Sequence, residues 1–290
     1  MGMVQTHWRA TKARCQLGVR AVPVEGTDVA QLLARSPRPD HYLDKSHEPL
    51  AGRVRQLVSE LDVDVDRCVP LARMYRAAND GPLRTMSGNL PHENGWISLL
   101  KAEGLTHWQG VAQRGLLIRG ESDFSVERLA SESVALEFPY KDDTRTLTFD
   151  VETWGVDGTR TVWEVKRDER DLADPDYRHG LAISAEIFRR CAIGFGVIFR
   201  DEIFTSRIHR ANAEIFAARA FVRIERRHVD RLENAAIRRG PRCAYGELAE
   251  ALEPDAPNFG TALVQAFAVR RRVEIDLTGR LHADTPLNIH

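Results

Sequence analysis

At 290 residues, with 43% hydrophobic and 29% charged residues, the chain has the composition of an ordinary soluble globular protein, long enough for two domains or three small ones. No run approaches the roughly 18 apolar residues of a membrane span, and MGMVQTHWRATKARCQ has no apolar signal core, so a cytoplasmic protein with no membrane partner is expected. Net charge is −1, which excludes a chain that is basic throughout, yet between Arg207 and Arg242 ten arginines face only four acids. Cys15, Cys68, Cys191 and Cys243 are scattered without a CxxC pair, which favours reduced structural thiols over zinc ligands or disulfides.

Along the chain, RSPRPDHYLDKSHEP (35–49) is proline-rich and polar and predicts a loop or linker. PLAGRVRQLVSEL then carries apolar residues at helical spacing, and the spacing predicts a short amphipathic helix. PHENGWISLLKAEG opens on a proline, gathers Trp96, Leu99 and Leu100 on one side and stops at Gly104, so a helix of about three turns is expected there. SVALEFPYK (133–141) and TRTLTFDVETW (144–154) alternate as strands. Asp157-Gly158 is a strong hairpin signal, and TRTVWEVKRD forms the returning arm. YRHGLAISAEIFRRC predicts an amphipathic helix and GFGVIFRDEIF a buried strand.

From residue 206 the pattern is helical up to Gly240, followed by AYGELAEAL, PNFGTALVQAFAVRRRV and a ribbon turned at Thr278-Gly279. Three helices with a β-ribbon are the parts of a winged helix. The expected organisation is therefore an extension over 1–85, an α/β (α+β) core over 86–205 and a winged-helix-like unit over 206–290.

One constellation carries chemistry. Lys166 is one of only five lysines, and it follows Glu164 by two residues on the returning arm. Period-two alternation sends Glu164 and Lys166 to one face of the sheet and Val165 to the other. With the turn at Asp157-Gly158, Asp150 on the partner arm falls close to residues 165 and 166. Two carboxylates in close approach are costly unless a cation joins them, and hard oxygen ligands suit Mg²⁺ or Mn²⁺ rather than zinc. A compact ammonium beside them can stabilise a developing anion or orient a water. The same three residues would also serve as a surface charge ladder worth roughly a few tenths of a kcal/mol.

Asp150 followed by Glu164-Val165-Lys166, in an α-β-β-β-α-β order, resembles the core of the PD-(D/E)xK nuclease superfamily, the restriction-endonuclease-like fold. The span from about residue 86 to 290 is similar to TnsA-like transposon endonucleases, including the closing DLTGRLHADTPL. The residue before Asp150 is Phe149 where the signature has proline, and residues 1–85 have no counterpart in the family.

The resemblance implies a Mg²⁺- or Mn²⁺-dependent DNA endonuclease, nucleoid-associated, cutting strands at transposon ends beside a DDE-type transposase and an AAA+ regulator. It implies that Asp150 and Glu164 bind metal, that Lys166 acts on the attacking water or the transition state, and that a helical glutamate completes the site. That glutamate is assigned to Glu93, with Glu127 and Glu132 as competitors. Arg270, Arg271 and Arg272, at the end of the candidate recognition helix, are assigned to phosphate contact rather than base reading. Tyr177, Arg178 and His179 open the helix after Lys166 and could touch the DNA backbone or simply be solvated; His92 is read as solvated, and Trp96 and Trp108 as core aromatics. Two other functions fit the same sequence: a stand-alone restriction or phage-defence nuclease, and a non-catalytic winged-helix adaptor that binds DNA or protein.

Overall fold

A computed structural model describes residues 21–28, 68–77, 82–83 and 93–290. In chain order these form strands β1 (Ala21–Asp28), β2 (Arg73–Ala77), β3 (Asn94–Ser98) and β4 (Leu105–Gln109), then helix α1 (Gly110–Ser122). Strands β5 (Val126–Ser131), β6 (Val134–Tyr140), β7 (Asp143–Thr148), β8 (Val151–Gly155) and β9 (Arg160–Lys166) follow, then α2 (Pro175–Arg190) and β10 (Gly194–Phe199). The chain closes with α3 (Arg207–Arg219), α4 (Arg226–Arg239), β11 (Arg242–Ala244), α5 (Tyr245–Leu252), α6 (Pro257–Val269), β12 (Val273–Ile275) and β13 (Pro286–Ile289). The fold is mixed α and β. The expected loop at 35–49, the helix after it and His92 lie outside the described residues.

The central sheet has the order β10-β9-β8-β5, with β9 and β10 parallel and the other pairs antiparallel. Strand β9 is buried from Thr161 to Val165, because both faces are covered. On one face Leu116 and Leu117 of α1 pack with Leu129, Val151, Trp163 and Val165. On the other, Leu181, Ile187 and Phe188 of α2 pack with Val162, Phe195 and Val197. Helix α2 starts two residues before the expected Tyr177: Pro175 takes the first turn, and the Asp174 carboxylate accepts from the N–H groups of Asp176 and Tyr177. A second sheet, β1-β2-β6-β7, shares the α2-side core through Met74, Val134, Leu136 and Phe138.

Two expected elements differ. The helix expected over 91–104 is instead the β3–β4 hairpin, with Trp96 opposite His107 and Ser98 opposite Leu105. Gly104 has φ +76° and serves the turn rather than a helix end. The helix itself is α1, one element later, hidden from propensity by Gly110, Gly115 and Gly120. The expected single strand over 144–154 is two strands in different sheets. Thr148 still pairs with Ala135 of β6, whereas Val151 pairs with Trp163 of β9 and Ser131 of β5. Alternation runs unbroken through Phe149 and Asp150, so the pattern does not betray the change of partner.

The last part of the chain has its own core around Phe216, Leu232, Leu248, Leu263 and Phe267. Helices α3 and α4 replace the continuous helix expected over 206–240, and β11 joins the ribbon to give the order β11-β13-β12. Helix α6 is buried at Gly260 and from Ala262 to Val269, packed closely enough on α5 that a Cβ on Gly260 would lie 2.0 Å from the Ala249 carbonyl oxygen. The loop between β12 and β13 is tied to α3, where Asn212 Nδ2 donates to the carbonyls of Leu277 and Gly279 at 2.8 and 2.7 Å.

Phe149, 1% exposed, packs edge-on against Phe188 and Phe195 at the point where the chain changes sheets. Phe149→Ala is expected to cost about 3–5 kcal/mol of unfolding free energy, read from urea denaturation of the variant and the wild type.

Candidate active site

The β8–β9 hairpin builds the site. Its turn is held by Asp157, whose Oδ1 accepts from the Thr159 N–H and hydroxyl at 3.0 and 2.7 Å, and Gly158 sits at φ +81°. From this turn the register places Val151 opposite Trp163, so Asp150 arrives one step further on, beside Glu164. Asp150 Oδ2 accepts from the Val165 N–H at 2.7 Å. Glu164 Oε1 accepts from Lys166 Nζ at 2.5 Å and from the Tyr177 hydroxyl at 2.5 Å. Lys166 Nζ also lies 4.9 Å from the Tyr177 ring centre. Glu164 and Lys166 thus face α2, while Val165 packs into the α1-side cluster.

The electrostatics follow from this crowding. Burial of Lys166 works to lower its pKa, but Glu164, Asp150 and, more weakly, Asp171 oppose it, and the net effect raises the amine above its ordinary 10.5. The surrounding carboxylates thus favour the ammonium form of Lys166, which can offset negative charge and donate hydrogen bonds.

The other expected residues are placed as follows. Glu93 is exposed, on no helix, one residue before β3, and its carbonyl accepts from the Gly110 N–H at 2.6 Å. Glu127 is exposed on β5. Glu132 is 1% exposed at φ +49°; its N–H donates to the Asp150 carbonyl at 3.0 Å, while its carboxylate lies 3.7 Å from Nδ1 of the buried His107.

Arg178 is half-buried, with its Nε lacking a hydrogen-bond partner, and His179 meets the Tyr140 hydroxyl at 3.1 Å. Trp96 is 50% exposed, edge-on to His107, and Trp108 packs into the α1-side core. Arg270, Arg271 and Arg272 lie far along the chain from this site and each reaches a backbone carbonyl, of Val222, Phe124 and His290 respectively, at 3.2, 3.1 and 3.0 Å. Arg272 is exposed, and the other two are partly buried.

Two residues at the site carry roles the sequence did not assign. Tyr177 is a hydrogen-bond donor to Glu164; its place in the first turn of the helix after Lys166 is the signal that pointed towards it. Gln113 of α1 donates through Nε2 to the Asp150 carbonyl at 2.9 Å, and nothing in the local pattern marks it.

Among the described residues no group of three or more His, Cys, Asp or Glu side chains is arranged to hold a metal ion. Asp150 and Glu164 nevertheless form a pair of hard oxygen donors in one corner, which fits a small divalent ion that keeps most of its coordination as water and phosphate oxygen. Among the described residues no helix is long and apolar enough to cross a membrane.

An NMR titration of the Lys166 side chain is expected to give a pKa above 10.5, and Glu164→Gln is expected to lower it, because burial then acts with less opposition. A wild-type value below 10.5 would contradict this electrostatic account. Scanning the chain against protein-family models gives no match, and searching the curated proteins gives none either.

Proposed function

We propose that the chain is a divalent-metal-dependent DNA endonuclease that hydrolyses phosphodiester bonds. The observation that carries this reading is the convergence of Asp150, Glu164 and Lys166, with Asp150 Oδ2 on the Val165 N–H and Glu164 Oε1 on Lys166 Nζ. Topology supports it. Once the β6–β7 hairpin is set aside, the order α1-β5-β8-β9-α2-β10 is compatible with the α-β-β-β-α-β series of the PD-(D/E)xK fold, with Asp150 just before the second strand and Glu164 near the end of the third. The order α4-β11-α5-α6-β12-β13 similarly supports a winged-helix-like C-terminal unit.

In this reading Asp150 and Glu164 hold Mg²⁺ or Mn²⁺. The bound ion supplies a Lewis acid for a phosphoryl oxygen and acidifies a bound water. The Val165 N–H and the Tyr177 hydroxyl fix the two carboxylates, so they need little reorganisation when substrate arrives. Lys166 places a fixed positive charge where the phosphorane builds negative charge.

Placement at transposon ends, with a DDE-type transposase and an AAA+ regulator as partners, rests on the resemblance to TnsA-like endonucleases. DNA contact by Arg271 in this account needs rearrangement, since its guanidinium is engaged with Phe124. Helix α6 offers little open surface for groove reading beyond its first turn. That favours a C-terminal unit working through partner and backbone contacts.

Plasmid nicking with Mn²⁺ tests the proposal. Asp150→Ala, Glu164→Ala and Lys166→Ala are each expected to reduce the cleavage rate by at least about 100-fold. Cleavage that persists in all three variants would overturn it. Tyr177→Phe is expected to lower the rate by about 10-fold, while leaving the far-UV circular dichroism unchanged.

A further inference from the structure

We propose, resting on the nuclease reading above, that Gln113 is a positioning residue whose side-chain amide clamps the backbone of Asp150 and does not itself ligate metal. Gln113 is 2% exposed and sits in the first turn of α1, the helix directly before β5. Its Oε1 accepts from the Gln109 N–H at 2.5 Å. A backbone N–H can only donate, so the amide orientation is settled: oxygen towards Gln109, nitrogen towards Asp150. The Nε2 then donates to the Asp150 carbonyl at 2.9 Å and to the Ser131 hydroxyl at 3.1 Å.

Asp150 needs such a clamp. It occupies the step between β7 in one sheet and β8 in the other, where neither strand ladder continues unbroken. Its N–H donates to the Trp163 carbonyl at 3.2 Å, and its own carbonyl accepts from the Glu132 N–H at 3.0 Å as well as from Gln113. The carbonyl thus takes donors from the β5–β6 junction and from α1 together. These contacts fix the backbone from which the Asp150 carboxylate reaches the Val165 N–H. Partners that orient a ligand in this way commonly govern metal affinity nearly as strongly as the ligand itself.

Position 113 of α1 reaches the backbone of Asp150, and it brings an amide rather than an acid. A carboxylate there could still accept from Gln109, but its second oxygen would face the Asp150 carbonyl, acceptor against acceptor. The substitution Gln113→Glu therefore separates two roles. If position 113 acts as a metal ligand, an added carboxylate tightens metal binding. If it acts as a clamp, the same change loosens it.

The full chain, as wild type, Gln113→Glu and Gln113→Ala, is to be titrated with Mn²⁺ by calorimetry and melted by circular dichroism. Both variants are expected to bind Mn²⁺ roughly 10–100-fold more weakly than the wild type, with Gln113→Glu no tighter than Gln113→Ala. Gln113→Glu binding as tightly as the wild type or tighter overturns the inference while leaving the nuclease reading standing. If Gln113→Glu does not fold, Gln113→Ala decides: an unchanged dissociation constant overturns the clamp. A folded wild type that binds no Mn²⁺ overturns both.

Discussion

The register of one β-hairpin governs this site. Because the turn is closed by Asp157 and Gly158, Val151 meets Trp163 and the next residue back, Asp150, comes level with Glu164. A slip of a single residue would send Glu164 and Lys166 into the α1-side core and bring Val165 to the site. Apolar residues on β9 guard against that slip. Trp163 and Val165 are buried against α1 and Val162 against α2, and a slip would exchange these packed positions and put the Glu164 and Lys166 charges in the α1-side core.

Charges concentrated in that corner are tied together by hydrogen bonds and an ion pair. Glu164 accepts from an ammonium and a hydroxyl through the same oxygen, and Asp150 accepts from a strand amide. Lys166 is in turn kept protonated by the acids around it, against the pull of its own burial. In the proposed nuclease reading, this corner supplies one built-in cation, Lys166, beside the two carboxylates that would hold a second. Helix α2 has two parts in this: its buried face closes the sheet, and its first turn supplies Tyr177.

Much of this site could be read from sequence because it depends on short-range rules. Alternation, a strong turn dipeptide and a glutamate two residues before a lysine are all local, and so is the amphipathic pattern of α2. The parts that were not legible depend on long-range contacts. Helix α1 has three glycines, two of which face side chains of other elements: Gly115 approaches Phe204, and Gly120 approaches Leu129. Its helical state is imposed by packing, while the residues before it carry the stronger helical pattern yet pair as β3 and β4. The partner change at Phe149-Asp150 leaves no local trace either. Expecting an acid on a helix led to Glu93, but the helix that reaches the site is the next element, and it brings Gln113. The arginines near residue 271 showed their charge but not their engagement with the backbone carbonyls of Val222, Phe124 and His290.

Crystals of the chain soaked in Mn²⁺ and measured at an anomalous-scattering wavelength put the central claim to its most direct test. The account predicts one strong anomalous peak within about 2.5 Å of carboxylate oxygens of both Asp150 and Glu164, lost in Asp150→Ala. A peak bound elsewhere on the chain, with this corner empty at saturating Mn²⁺, would contradict it.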